Sequence, residues 1–314
     1  MNDECGMRND EQQAFRIHHS AFRICKMTRN ILLAIFAHPD DESFGPGATL
    51  AKYARAGVAV HYLCGTRGEM GTTDAEHMQG FESVGDMRWA ELTCAAQVLQ
   101  LAGIHHLGYR DSGMAGSDDN KHPQALTAQP VEAVAARIAH FIRQLKPQVV
   151  LTHDTIGGYR HPDHIMLNKA TLLAFKMAGD SNFRDPEGLP PYQPQKLYYP
   201  VFGRGFLKVA ARVLPLFGRD PRKFGRNGDI DLLSLTEVEF PVHTVIDTGG
   251  EPGEMRNRAA ECHKSQLGGG PPRSGVVGIM FRLMGFRGQR DTFMRALPEA
   301  NGKLRETDLF EGVI

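Results

Sequence analysis

The chain has 314 residues, in which 36 Lys and Arg balance 36 Asp and Glu, leaving a formal net charge of zero. That balance argues against a general polyanion or nucleic-acid binder, because no overall charge draws phosphate backbones in. A composition 41% hydrophobic and 23% charged is that of a globular chain and too apolar for disorder, and no apolar run approaches the roughly 18 residues of a membrane span.

Residues 1–28 carry Asp3, Glu4, Asp10 and Glu11 and no apolar stretch of the kind a secretory signal needs. Ala14-Phe15-Arg16-Ile17 recurs as Ala21-Phe22-Arg23-Ile24, and Met27 stands just before the first strong strand signal. The expectation is a disordered extension, with one domain over 29–314. The five cysteines (Cys5, Cys25, Cys64, Cys94 and Cys262) are odd in number, widely spaced and without a CxxC, so neither a disulfide framework nor a thiolate zinc cluster is expected, and a reducing cytoplasm is.

From residue 30 strand and helix patterns alternate. Ile31–Ala37 reads as a strand covered on both faces, Ala48–Ala56 as a helix stopped at Gly57, and Val58–Cys64 as a second strand. A long helix over Asp86–Leu101 precedes a short strand near His106–Leu107. Val131–Leu145 is a helix ended by Lys146-Pro147, followed by a strand at Val149–Thr152 and a helix over His161–Met177. Beyond a proline-rich loop, Gln195–Tyr199 reads as a strand, Val238–Ile246 as a strand pair and Gly253–Gln266 as a helix. The order predicts a Rossmann-like α/β fold: a doubly wound, mainly parallel sheet with helices on both faces.

The ionisable residues fall in one place. In an open α/β sheet, ligands bind beyond the carboxyl ends of the strands. The first strand runs into His38-Pro39-Asp40-Asp41-Glu42, the second into Thr66-Arg67-Gly68-Glu69 and the third into Tyr109-Arg110-Asp111-Ser112. The fourth leads through His153-Asp154 to Tyr159-Arg160-His161-Pro162-Asp163-His164. His38 with Asp41, and His161 with His164, are each three apart at a strand-to-helix turn. Two imidazoles and a carboxylate with an open position make a metal site that can activate water, and Asp40 is then the spare carboxylate beside it. Each motif alone reads equally well as an acidic helix cap or solvated histidines. A nucleotide-binding turn is the rival at Gly45-Pro46-Gly47, but Asp40, Asp41 and Glu42 stand where a pyrophosphate needs donors.

These residues resemble the PIG-L/LmbE-like zinc-dependent de-N-acetylases. The resemblance rests on AHPDDE (37–42), RGEMG (67–71), Arg88 with Glu91, YRDSGM (109–114), GGYRHPDH (157–164) and HKSQ (263–266), and its motifs look closest to the mycothiol deacetylase and conjugate amidase branch. It implies His38, Asp41 and His164 as metal ligands, Asp40 as general base, His161 as acid or electrostatic partner, Tyr159 at the oxyanion and Asp163 as orienter of His161. It further implies Glu69, Arg88 and Asp111 at the sugar hydroxyls and His263 in the pocket wall, whereas His153, His243 and Cys262 read as structural. The implied cofactor is Zn²⁺, though two His and one carboxylate also suit Fe²⁺. The implied reaction removes an acetyl group from an N-acetylglucosamine-type conjugate. The alternatives are an amidase of a thiol-sugar S-conjugate and a non-catalytic carbohydrate-binding protein.

Within a basic insertion over about 200–232, residues 204–226 place Arg204, Lys208, Arg212, Arg219, Arg222, Lys223 and Arg226 against a single acid, Asp220. A lid packed on the sheet is expected in preference to a membrane-surface helix, since Pro215 interrupts it. Gly268–Gly270 with Pro271 and Pro272 reads as a loop, and 276–297 as core packing without chemistry.

Overall fold

A computed structural model describes residues 30–201, 204–218, 220–223, 228, 230–267 and 289–314. The expectations for residues 1–28 and for the glycine-proline loop after residue 267 lie outside the described residues.

In chain order the elements are β1 (Ile31–Phe36), α1 (Asp41–Phe44), α2 (Gly47–Arg55), β2 (Ala59–Cys64), α3 (Val84–Val98), β3 (Gly103–His106), α4 (Val131–Leu145) and β4 (Val149–Thr152). Then come α5 (Gly157–Arg160), α6 (Pro162–Gly179), β5 (Lys196–Pro200), α7 (Arg204–Val213), α8 (Leu232–Leu235), β6 (Thr244–Asp247), α9 (Glu251–Ala260), α10 (Lys264–Leu267) and β7 (Arg290–Leu297). The sheet order is β3-β2-β1-β4-β5-β7-β6. The first five strands are mutually parallel, and β7 runs antiparallel to both β5 and β6. The α/β, mainly parallel expectation is met.

The continuous apolar run of β1 is explained by the two cores it separates. Leu33, Ile35 and Ala37 pack with α4 and α6 residues such as Ile138, Ile142, Leu167 and Ala170. Leu32, Ala34 and Phe36 pack on the opposite face with Leu50, Tyr53 and Leu92 of α2 and α3. Alternate side chains point to opposite faces of a strand, so only an unbroken apolar sequence satisfies both layers. Helix α4 ends where Lys146 turns into the left-handed region at φ 56° before Pro147.

The reversal of strand order lies between β1 and β4, the switch point at which α/β sheets open a crevice. Gly45 and Gly47 have a packing reason: a Cβ there would lie 2.5 Å from Asp41 O and 2.6 Å from Glu42 O respectively. They let the chain fold back from α1 into α2; a phosphate plays no part in that.

Three expectations need correction. The helix expected over Gly253–Gln266 is two, α9 and α10, broken at Glu261–His263. Of Val238–Ile246 only Thr244–Asp247 overlaps a strand, and its partner is β7, which lies within the stretch read as core packing without an assigned element. Cys94 of α3 and Cys262 form a disulfide across 168 residues, a cross-link the expectation against a disulfide framework did not foresee. The local sequence around either cysteine carries no trace of the other.

The basic insertion forms α7 and then a short 3-10 turn, Leu214–Phe217, in which Pro215 is the second residue and regular helix does not continue. Leu214, Leu232 and Leu235 are buried together against Ile156, Tyr159 and Ile230. Among the described residues no helix is long and apolar enough to cross a membrane.

Candidate active site

The carboxyl ends of β1, β2 and β4 and the N-terminus of α6 surround one open cavity of about 210 Å³. Its walls include His38, Asp40, Arg88, Asp111, Tyr159 and His161, with Met70, Met114, Ile230 and Gln266 at the sides.

Of these wall residues His38 leads to a deeper group: its Nδ1 lies 3.2 Å from His164 Nε2. Asp41 Oδ2 is 3.7 Å from the first and 3.6 Å from the second. A tetrahedral site with bonds of about 2.0–2.1 Å has ligand-to-ligand edges of about 3.3–3.4 Å, so the three donors fit a small divalent cation. Two buried imidazole nitrogens facing each other beside a carboxylate is an arrangement that a cation relieves. The other nitrogen of His38 supports this reading: Nε2 lies 3.4 Å from Asp163 Oδ2 and 3.6 Å from Asp111 Oδ1. Carboxylates in that position fix the tautomer and direction of a ligating imidazole. Burial lowers the affinity of His38 for a proton, yet Asp111, Asp163 and Asp41 together outweigh it and raise the pKa well above the usual histidine range. For Asp41, burial is outweighed by His164, His153 and His38, which hold the carboxyl well below its usual range.

Asp40 sits at the N-cap position of α1, but its side chain makes no capping hydrogen bond and its backbone adopts φ 119°, ψ −25°. A non-glycine residue at such a φ is strained, and such strain collects at functional sites. The bland reading of HPDDE as an acidic cap therefore fails. The carboxylate instead accepts from Arg88 Nη2 at 2.9 Å and lines the cavity. Burial, only partly offset by Arg88, raises its pKa to about 6, with the neighbouring Asp41 adding to the rise.

Arg88 arrives from α3 and is buried. Its guanidinium also donates to Gly68 O at 3.0 Å and Pro39 O at 2.6 Å. The RGEMG run makes room for it: Gly68, at φ +69°, would place a Cβ 2.1 Å from Arg88 Nη1, and Gly71 one 2.7 Å away.

His161 caps α6, its Nδ1 accepting from Asp163 N at 3.2 Å. Nε2 therefore carries the proton of the neutral ring. Burial, reinforced by His38, pulls its pKa down to about 3, so at neutral pH it is a neutral donor. Tyr159 is aimed inward by a tight GGYR turn in which Gly157, Gly158 and Arg160 all have positive φ. A Cβ on Gly157 would meet Ile165 Cγ1 at 2.8 Å and His164 Cβ at 3.0 Å. Burial, and then the nearby Asp41 and Asp40, keep the Tyr159 phenol protonated by raising its pKa.

Several expected placements change. The Asp163 carboxylate makes its hydrogen bonds elsewhere than His161: it accepts from Ser112 Oγ at 2.5 Å and Ser112 N at 3.0 Å and faces His38, while Asp163 N donates to His161 Nδ1. Glu69 is not in the cavity wall; it accepts from Asp111 N at 3.0 Å and braces that loop. His263 is fully buried behind the cavity, 2.6 Å from Glu42, because the break between α9 and α10 turns it inward; Gln266 of the same HKSQ run reaches the wall. His153, read as structural, stacks on His164 with ring centroids 3.7 Å apart, and its Nε2 lies 3.5 Å from Asp41 Oδ2. That nitrogen accepts from Ala37 N at 3.0 Å. Its place directly after β4, at the same strand end as the other site residues, was the available signal.

Comparison with known proteins agrees with this geometry. A family model described as PIG-L, GlcNAc-PI de-N-acetylase, matches residues 33–175. Proteins named 1D-myo-inositol 2-acetamido-2-deoxy-alpha-D-glucopyranoside deacetylase are similar along most of the chain. The one from Streptomyces avermitilis is 33% identical over 300 residues, spanning 90% of this chain and 97% of the relative. The one from Kineococcus radiotolerans is 36% identical over 255 residues, 75% of this chain and 68% of the relative. In fold the chain resembles N,N'-diacetylchitobiose deacetylase from Pyrococcus horikoshii, with TM-score 0.56, 20% identity and coverage of 85% and 84% of the two chains. It resembles 4-carboxy-2-hydroxymuconate hydratase from Pseudomonas putida equally well, with TM-score 0.56, 16% identity and coverage of 87% and 98%. The architecture thus hosts more than one reaction, and kinship is decided by sequence. On relatives that align from end to end, and on a family model running from β1 to α6, the chain belongs to the PIG-L family of GlcNAc-PI de-N-acetylases.

Proposed function

We propose that this protein is a metal-dependent amidohydrolase that releases acetate from the 2-acetamido group of an N-acetylglucosamine-type conjugate, as the names of its relatives describe for them. The observation that carries the reading is Asp40: a carboxylate in strained backbone that caps nothing, beside three converging metal donors. A protein that only binds sugars has no use for such a group.

His38, Asp41 and His164 would hold the ion, zinc or iron(II). When bound, it supplies Lewis acidity toward the amide carbonyl and lowers the pKa of water to about 7. Asp40 takes the proton of the attacking water, and with its pKa near 6 it hands that proton to the departing nitrogen. This assigns both proton transfers to Asp40, since a histidine with pKa near 3 is a poor acid store. His161 and Tyr159 present N–H and O–H to the oxygen on which charge develops. Arg88 steers the Asp40 carboxylate, and Asp111, in the cavity wall, faces the sugar hydroxyls. The α7–α8 segment, packed on Tyr159 and supplying Ile230, closes one side of the cavity as a lid.

The test is a panel of N-acetylglucosaminyl conjugates, inositol-linked ones included, assayed for primary amine and acetate. Release abolished by chelator and restored by Zn²⁺ or Fe²⁺ is expected. Release that survives full metal removal, or none from any conjugate, overturns the proposal.

A further inference from the structure

Asp40 is held on two sides. Its carboxylate is gripped by Arg88, and its backbone is gripped by a second set of residues that the reaction does not use. Asp40 N donates to Glu42 Oε2 at 2.9 Å, while Asp40 O accepts from Ser43 N at 3.0 Å and Phe44 N at 2.9 Å. Glu42 is fully buried, and its other oxygen meets Ser43 Oγ and His263 Nε2, both at 2.6 Å. His263 is equally buried, at the corner between α9 and α10.

That corner is itself tied to α3. Cys262 is bonded to Cys94, and Ser265 donates from N and Oγ to the Glu91 carboxylate at 2.8 and 2.7 Å. Successive turns of α3 therefore carry Arg88, Glu91 and Cys94, the first reaching the Asp40 side chain and the others anchoring the support of its backbone. A buried carboxylate is costly to keep unless its partners satisfy it, and here one of its oxygens goes to a single strained peptide.

We infer that Glu42 and His263 are a positioning pair whose task is to hold the Asp40 backbone in its left-handed conformation, so that the carboxylate points into the cavity and not back onto the end of α1. The inference rests on the deacetylase reading only for its kinetic consequence.

The test separates backbone from chemistry. Asp40→Gly and Asp40→Ala both delete the carboxylate, and they differ mainly in tolerance of positive φ. In the wild-type background Asp40→Gly is expected to melt about 2 °C above Asp40→Ala. In a Glu42→Leu background the peptide is released and the order equalises or reverses, since Ala is then favoured. With Asp40 intact, Glu42→Leu lowers kcat on the order of 30- to 100-fold with KM within about twofold, as for a misplaced catalytic group. Its bound metal stays near the wild-type level. Glu42→Gln keeps an acceptor for Asp40 N and recovers most of the kcat. If Glu42→Leu does not fold, His263→Leu carries the same comparison, with a smaller loss of the same sign.

A Gly-over-Ala preference that persists without Glu42 overturns the inference, as does lost preference with full kcat. If wild-type protein releases amine from no conjugate, the deacetylase reading fails, while the melting comparison still decides the backbone claim.

Discussion

Gly68→Ala puts the packing around Arg88 to a quantitative test. The added Cβ would stand 2.1 Å from Arg88 Nη1, 2.5 Å from Cζ and 2.9 Å from Nε. Contact at about 3.5 Å requires the guanidinium to retreat by roughly 1.4 Å. It has nowhere to go without loosening its bonds to Asp40 Oδ2, Pro39 O and Gly68 O at 2.9, 2.6 and 3.0 Å. The backbone at φ +69° adds a penalty of its own, about 1–2 kcal/mol for a residue with a Cβ. Disturbing a buried ion pair without deleting it adds about 2–3 kcal/mol, below the cost of removing a partner outright. The sum is about 3–5 kcal/mol. Gly80→Ala is the control: its φ is +85°, but nothing lies within 4 Å of a Cβ there, so only the backbone penalty of about 1–2 kcal/mol applies. Urea unfolding of wild type and both variants at neutral pH measures the difference. kcat of Gly68→Ala should fall at least about tenfold as Asp40 loses its guide. Equal destabilisation by the two substitutions would show that Arg88 is not pressed against Gly68, and the account of the RGEMG run would be wrong.

Asp40→Ala should keep near-stoichiometric metal yet lose most turnover, whereas His164→Ala should lose the metal; equal loss of metal in both, by elemental analysis, contradicts the division of roles. Cleavage of Cys94–Cys262 opens a cross-link over 168 residues, worth up to about 5 kcal/mol by loop entropy. Reductant should therefore lower the Tm of wild type and leave a Cys94→Ala/Cys262→Ala protein unchanged, and the same shift in both would count against the bond. Burial would raise the Glu306 pKa, but hydrogen bonds from Lys196, Tyr198 and Thr244 outweigh it and hold the carboxyl below 4.5. A carboxylate with depressed pKa contributes stability that is present above its unfolded value and lost as pH falls through the folded one. Glu306→Gln should accordingly flatten the stability profile below about pH 4.5, and an unchanged acid limb in urea titrations would refute the pairing.

The core of the fold was legible because its signals are local. The seven-residue apolar run that contains β1 announces two-sided burial, and α4 is bounded by Pro130 and by Lys146-Pro147. The convergence of His38, Asp41 and His164 was legible for a related reason: each motif follows a strand that the parallel order delivers to the same sheet edge. What escaped was long-range pairing. Glu42 meets His263 across 221 residues, and β7 fills a gap between strands that precede it by tens of residues. The resemblance puts His263 in the pocket wall, but Gln266 of the same HKSQ run, one helical turn away, is the residue that reaches it. The resemblance pairs Asp163 with His161, whereas the helix turns its carboxylate toward Ser112 and His38. Residue type and spacing announce that a group has chemistry to do; which partner it faces depends on the packing of elements that share no sequence signal.

The position of β7 has a consequence for how the molecule is made. The strand nearest the carboxyl terminus is threaded between β5 and β6, so until residues 290–297 arrive, β5 has a bare flank and β6 has no neighbour in the sheet. A nascent chain can assemble the five parallel strands first, but β6 can join the sheet only after residues 290–297 have been made. Removing residues 290–297 would thus do more than delete one strand: it would expose an unpaired backbone edge on β5 of the kind that recruits other chains.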